Sequence, residues 1–203
     1  MKFITKTNKF GQIVILIMSI IFITNLFLSE DNLFWIFVSG GGKIVEYTAA
    51  SYKTVYEDFE LYRLITYGYT QTAIWHLLAN AFGLWYVSVY LEKKIGTIRF
   101  MLLFHFGLII AGALILIFYP NAYNYGSSPA IFTCLGVLAN WLTRDKELWA
   151  EYRSQKGFRF LLYYFVLSNI LGVCTLVFHA LGFGVGFLLG SVVKDKGGNY
   201  CYY

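Results

Sequence analysis

The chain has 203 residues, of which 58% are hydrophobic and 13% charged; an ordinary soluble domain has roughly 45 to 50% and about 25%. Aromatic residues reach 20% and only 2 prolines interrupt the chain, which excludes disorder and a water-soluble globule and fits several helices solvated by lipid. The net charge of +5 needs no nucleic acid to explain it, because it follows membrane topology. Cys134, Cys174 and Cys201 form neither a close pair nor a metal-ligand spacing, so no disulfide framework and no metal site is expected.

A membrane span needs about 20 apolar residues and tolerates almost no charge at its centre. Segment 10–29 is the first such run. Lys2, Lys6 and Lys9 precede it as in a signal peptide, but the apolar part is long and no small-residue cleavage site follows Leu28, so a retained helix is expected. Residues 30–70 hold Ser39-Gly40-Gly41-Gly42, many tyrosines and most of the acids, and read as an external loop lying partly in the interface. Segment 73–91 is the second span, closed by Glu92-Lys93-Lys94. Residues 100–143 are uncharged and too many for one helix, and the cluster from Tyr119-Pro120-Asn121 to Gly126 divides them into spans 100–119 and 128–143.

A charged loop occupies 144–156. The last uncharged run, 160–193, would measure about 51 Å as one helix, against a hydrocarbon core of about 30 Å. A turn near 168–175 is therefore expected, giving spans 158–171 and 175–193. Charge placement tests the total of six. With both termini inside, Lys2, Lys6, Lys9, Lys93, Lys94, Arg99, Arg144, Lys146, Arg153, Lys156, Arg159, Lys194 and Lys196 share the inner face, 13 of the 16 Lys and Arg residues. Only Lys43, Lys53 and Arg63 are left outside. Five spans would put Lys194 and Lys196 on the wrong face, so one membrane domain over 1–203 with six spans is expected.

Polar residues inside spans are expensive and mark function or interhelical packing. His76 and Asn80, four apart, share a helix face near the outer end of 73–91; alone, they could simply bond two helices together. Gly126-Ser127-Ser128-Pro129 opens the fourth span, and alone it is ordinary helix-start chemistry. His179 is followed by Gly182, Gly186 and Gly190, a stripe that alone means close helix packing. Their shared depth changes the reading. Span 128–143 is only about 24 Å long, so Ser128 lies several ångströms below the outer surface, and His179 and His76 lie about one turn into their spans. Ser128, His179, His76 and Asn80 can meet in one externally open cavity, which brings together a nucleophile, a base and two polar donors. His105, nearer the inner side, is assigned no role.

At these residues the sequence resembles the rhomboid family of intramembrane serine proteases. The family's H-L-L-x-N pattern appears as His76-Leu77-Leu78-Ala79-Asn80 and its L-E-x-x-x-G as Leu91-Glu92-Lys93-Lys94-Ile95-Gly96. Its G-x-S motif appears as Gly126-Ser127-Ser128 with an aromatic four residues on, Phe132, and its final-span pattern as His179, Gly182 and Gly186. The arginine that precedes span two, usually in a Trp-Arg pair, appears as Tyr62-Arg63. Two positions depart from the pattern: Gln71 stands where many members carry a further histidine, a position taken as peripheral, and Pro129 follows the serine where a small residue is common.

The resemblance implies an all-α membrane protein, a six transmembrane helix bundle of the rhomboid type. It implies an intramembrane serine endopeptidase in which His179 takes the proton of Ser128, while His76, Asn80 and the Ser128 amide stabilise the oxyanion. Phe132 is expected to pack on the His179 ring, and Gly126, Gly182 and Gly186 to shape the site. No cofactor or metal is implied. The expected partners are transmembrane protein substrates, single-pass or other, and the lipid bilayer, with no nucleic acid. The expected location is a bacterial cell membrane with both termini cytoplasmic. The alternative is a proteolytically inactive rhomboid-like protein that binds membrane clients. A small transporter would favour internal repeats and paired charges within the spans, and neither is found.

Overall fold

The computed structural model describes residues 8–29, 33–170 and 172–193. Lys2, Lys6, Glu30, Leu171, Lys194, Lys196 and Cys201, which enter the sequence reading, lie outside the described residues. The first long helix, α1, runs Lys9–Leu28. After it come two short helices, α2 (Leu33–Ser39) and α3 (Lys43–Thr48), a π-type turn at Lys53–Glu57, a four-residue α4 (Arg63–Thr66) and a 3-10 turn at Tyr67–Tyr69. The remainder consists of α5 (Ile74–Ile95), α6 (Thr97–Phe118), α7 (Ser128–Arg144), α8 (Lys146–Arg153), α9 (Lys156–Leu167) and α10 (Val173–Leu189). Extended pairing among the described residues is limited to one antiparallel bridge between Ala50 and Asn124.

Three of these helices, α1, α5 and α6, are long and apolar enough to cross a membrane, and α10 is a shorter apolar helix. Leu16 and Ile20 on α1, Ile98 and Leu102 on α6, Leu162 and Val166 on α9, and Leu188 on α10 all point away from the protein. A water-soluble monomer rarely exposes contiguous apolar surface on this scale. The chain is an integral membrane protein whose outer surface is solvated by lipid. Inside, α7 takes the centre: 12 of its 17 residues are buried, so its polar Ser128, Thr133 and Asn140 face protein rather than hydrocarbon. It packs against α10, α6 and α5.

Two regions differ from the reading as plain loops. Residues 33–70, expected as part of an external loop, are mostly short helical pieces tied down by buried polar contacts. The guanidinium of Arg63 donates from Nη1 to the carbonyls of Glu46 (2.8 Å) and Ala49 (2.9 Å) and from Nε to Glu60 (2.5 Å). Fully buried Tyr67 donates its hydroxyl to the Leu108 carbonyl on α6 at 2.8 Å. None of these pieces is long enough to carry a helical hydrophobic period, so the sequence pattern is silent about them. Likewise the charged loop 144–156 contains α8, which begins because Asp145 accepts from the amides of Glu147 and Leu148, both at 2.9 Å, as a helix N-cap should.

Helix α5 continues past Leu91 to Ile95 because Glu92 is buried rather than solvated. Its carboxyl group accepts from the amides of Phe10 (3.0 Å) and Gly11 (3.2 Å), first-turn donors of α1 that have no partner within the helix, and from Thr97 Oγ1 (2.9 Å). One side chain thus closes the start of α1 and joins it to α5 and α6. Gly96, at φ +84°, then reverses the chain between α5 and α6, a left-handed conformation that favours glycine. Glu92→Gln would place an amide NH2 among those donors, and the expected cost is about 1–3 kcal/mol. Thermal melts in detergent should show a lowered melting temperature; an unchanged one would contradict this anchoring role.

Candidate active site

The loop before α7 is shaped by its backbone. Gly126 adopts φ +101° and donates its amide to the carbonyl of Tyr67 at 2.8 Å. A Cβ on Gly126 would run into the His76 ring, 2.6 Å from Nε2, and would lie 3.4 Å from Asn80 Nδ2. Glycine is therefore required here twice, for its dihedral angle and for its lack of a side chain. The same contact shows that His76 and Asn80, from one face of α5, converge on the backbone two residues before Ser128.

Ser128 is the first residue of α7, and Pro129 occupies the first turn, where its missing N–H costs nothing. The two adjacent serines differ in access. Ser127 is completely buried, and its hydroxyl has no hydrogen-bond partner among the described residues, whereas Ser128 keeps 9% of its surface open. One turn along, Phe132 lies flat against the ring of His179, with centroids 4.0 Å apart and planes 9° from parallel. The expected packing of Phe132 on His179 is present. No hydrogen bond joins Ser128 to His179 among the described residues.

The approach that seats His179 beside Phe132 is made by glycines. A Cβ on Gly182 would strike the Pro129 carbonyl, and one on Gly186 would strike the Thr133 carbonyl. Thr133 Oγ1 bridges the helices, donating to the carbonyls of Pro129 (2.9 Å) and Gly182 (3.1 Å) as alternative partners. These two glycines lie where the sequence placed them, on the face of α10 that meets α7.

Three further residues belong to the site that the sequence reading missed or set aside. Gln71, taken as peripheral, is fully buried and accepts from Asn80 Nδ2 at 2.7 Å. Tyr164 on α9 donates to Asn80 Oδ1 at 3.2 Å, in a space that exists because residue 83 is glycine. Together they hold the Asn80 amide by both ends and leave it one free N–H. Asn169, just beyond α9, meets His179 Nδ1 at 3.0 Å. Nothing in the spacing connects 71 or 164 with 80, because Gln71 lies in the connection before α5 and Tyr164 on a separate helix. His105 bonds to Tyr69 Oη (2.8 Å) and the Met101 carbonyl (2.9 Å) and to none of these site residues. Among the described residues no three His, Cys, Asp or Glu side chains gather as metal ligands would.

Polar side chains collected this deep in an apolar bundle define a helical membrane protein organised around an internal polar centre. The rhomboid domain family model matches residues 58–196, and the chain belongs to that family. It is similar to Rhomboid-like protease 3 of Toxoplasma gondii, 28% identical over 76% of this chain and 56% of that protein. RHOMBOID-like protein 4 of Arabidopsis thaliana is 30% identical over 70% of this chain and 36% of that protein. Inactive RHOMBOID-like protein 8, also of Arabidopsis thaliana, is 24% identical over 68% and 38%. The chain thus spans about half the length of the first relative and less of the other two.

Tyr164→Phe keeps the ring and removes the hydroxyl that donates to Asn80 Oδ1, leaving a buried amide oxygen unpaired. The expected cost is about 1–3 kcal/mol, read as a lowered melting temperature in detergent. An unchanged melting temperature would contradict the role of Tyr164 in holding Asn80.

Proposed function

We propose that this protein is an intramembrane serine endopeptidase that cleaves transmembrane segments of membrane-protein substrates through Ser128 and His179. One observation carries the reading: the imidazole of His179 is held face to face on Phe132, one helical turn from the only serine of the Ser127-Ser128 pair that retains an open edge. In this mechanism the Ser128 hydroxyl passes its proton to His179 Nε2 as Oγ attacks the scissile carbonyl. Negative charge then develops on the carbonyl oxygen, where His76, the free N–H of Asn80 and the main-chain N–H of Ser128 donate to it. Each such donor is worth about 2.7 to 4 kcal/mol when preorganised away from water. His179 returns the proton to the departing amine, and water resolves the acyl-enzyme by the same steps. Pro129 does not interfere, because the amide used is that of Ser128.

The same reading includes six membrane crossings, with α7, α9 and α10 completing the set begun by α1, α5 and α6, both termini cytoplasmic and a bacterial cell membrane as the location. Substrates are single-pass or other transmembrane proteins reaching the site laterally from the bilayer, and no cofactor takes part. A second reading, an inactive rhomboid-like protein that binds membrane clients, is favoured by the missing Ser128 to His179 hydrogen bond and by similarity to a relative named as inactive.

The test is a serine-directed fluorophosphonate together with a single-pass membrane substrate, both presented to detergent-solubilised protein. Wild type should label and cleave. Ser128→Ala should abolish both, and His179→Gln should reduce kcat by on the order of 10³-fold or more, with folding retained in each case. Cleavage that survives Ser128→Ala but not Ser127→Ala would move the nucleophile by one residue. Indifference to all three substitutions would favour the binding protein.

A further inference from the structure

We infer that Asn169 is a third, neutral member of the catalytic group, a positioning residue that fixes the tautomer and orientation of His179. Its rate consequences rest on the proteolytic reading, but its structural content does not. The argument follows the polarity of three bonded groups. The carbonyl of Phe165, on the last turn of α9, can only accept, and an Asn169 side-chain atom lies 2.6 Å from it. That atom is therefore the amide nitrogen Nδ2, donating. The oxygen Oδ1 must then face the opposite way, and it lies 3.0 Å from His179 Nδ1. An amide oxygen has no proton to give, so Nδ1 carries the hydrogen and donates it. In a neutral imidazole this leaves Nε2 unprotonated, the form a general base requires.

The ring is fixed in two further respects. Phe132 stacks on its face, and Phe165, whose carbonyl orients Asn169, packs its own ring against Phe132 at 5.4 Å between centroids. The base, its orienting amide and the ring beneath it therefore form one connected unit spanning α7, α9 and α10. This is the division of labour of a Ser-His-Asp triad, where the third group holds the imidazole in the right tautomer and orientation, performed here by an uncharged amide. Ser168 reinforces the turn, its hydroxyl donating to the Tyr164 carbonyl at 2.6 Å. The same short segment therefore joins Asn169 to Tyr164, the partner of Asn80.

The experiment is nitrogen-15 NMR of the full chain, labelled at histidine, in detergent micelles at neutral pH. The protein has 3 histidines, and the His179 signals are assigned by their loss in His179→Gln. Wild type is expected to show a protonated Nδ1 and an unprotonated Nε2. In Asn169→Leu the His179 signals should move toward the other tautomer, and kcat should fall by roughly 10- to 100-fold with KM unchanged. Asn169→Asp, whose carboxylate oxygen can accept the same Nδ1 hydrogen, should restore the wild-type tautomer and much of kcat. Unchanged His179 signals in Asn169→Leu would overturn the inference. So would a wild type in which Nε2 carries the proton. A tautomer shift in Asn169→Leu combined with no cleavage by any form would support the positioning role and refute the proteolytic reading.

Discussion

The contact on which the rest of the structure depends is the backbone-to-backbone approach of α7 and α10. In a membrane the hydrophobic effect does little to press one apolar helix against another, so association relies on close packing and interhelical hydrogen bonds. Both are concentrated here. Gly182 and Gly186 admit the carbonyls of Pro129 and Thr133, and from the other side a Cβ on Gly136 would strike the carbonyl of Phe183. Thr133 Oγ1, Asn140 Nδ2 and Trp141 Nε1 then donate to carbonyls of α10 and the residues just beyond it, at Gly182, Phe187, Gly190 and Val193. The stacking of His179 on Phe132 is a consequence of this contact: with the helices further apart, the two rings could not touch.

Around that contact the polar groups are arranged so that few are left unpaired, as an environment without water demands. Asn80 is held at both ends by Gln71 and Tyr164, and His179 is held by Asn169. Beneath them Glu92 joins the start of α1 to α5 and α6, and Arg63 gathers the carbonyls of Glu46 and Ala49. The exception beside Ser128 is the Ser127 hydroxyl, buried and without a partner among the described residues. The arrangement concentrates rigid polar geometry around one serine and leaves the surface apolar. It is suited to a site whose donors must be in place before charge develops.

Much of this was legible in the sequence because the relevant signals are local or periodic. Long uncharged runs mark α1, α5 and α6, and the Ser-Pro pair marks the start of α7. The interval from His179 to Gly182 and Gly186 places the histidine and the glycines on one face, and the four-residue step from Ser128 to Phe132 anticipates the stacked ring. What escaped depends on contacts between elements. Asn169 precedes His179 by ten residues across a turn that the sequence locates only because one helix over 160–193 would be too long. Gln71 lies outside the helical periodicity of α5, and Tyr164 looks like any aromatic in an apolar run. The short helices between Leu33 and Thr66 are held by tertiary bonds to Arg63 and by turns too brief to carry a hydrophobic period.

The central claim is that the separation of α7 and α10 assembles the site, and two glycines of the same helix test it most directly. A Cβ on Gly186 would meet the Thr133 carbonyl, while a Cβ on Gly184 would meet nothing within 4 Å. Ala in place of either adds the same single carbon and the same gain in helix propensity. Fluorophosphonate labelling rates of Gly184→Ala and Gly186→Ala, measured on protein shown to be folded, isolate the effect of helix separation. The account predicts that Gly184→Ala labels as fast as wild type and that Gly186→Ala labels on the order of 100-fold more slowly. A Gly186→Ala protein that labels at the wild-type rate would contradict it.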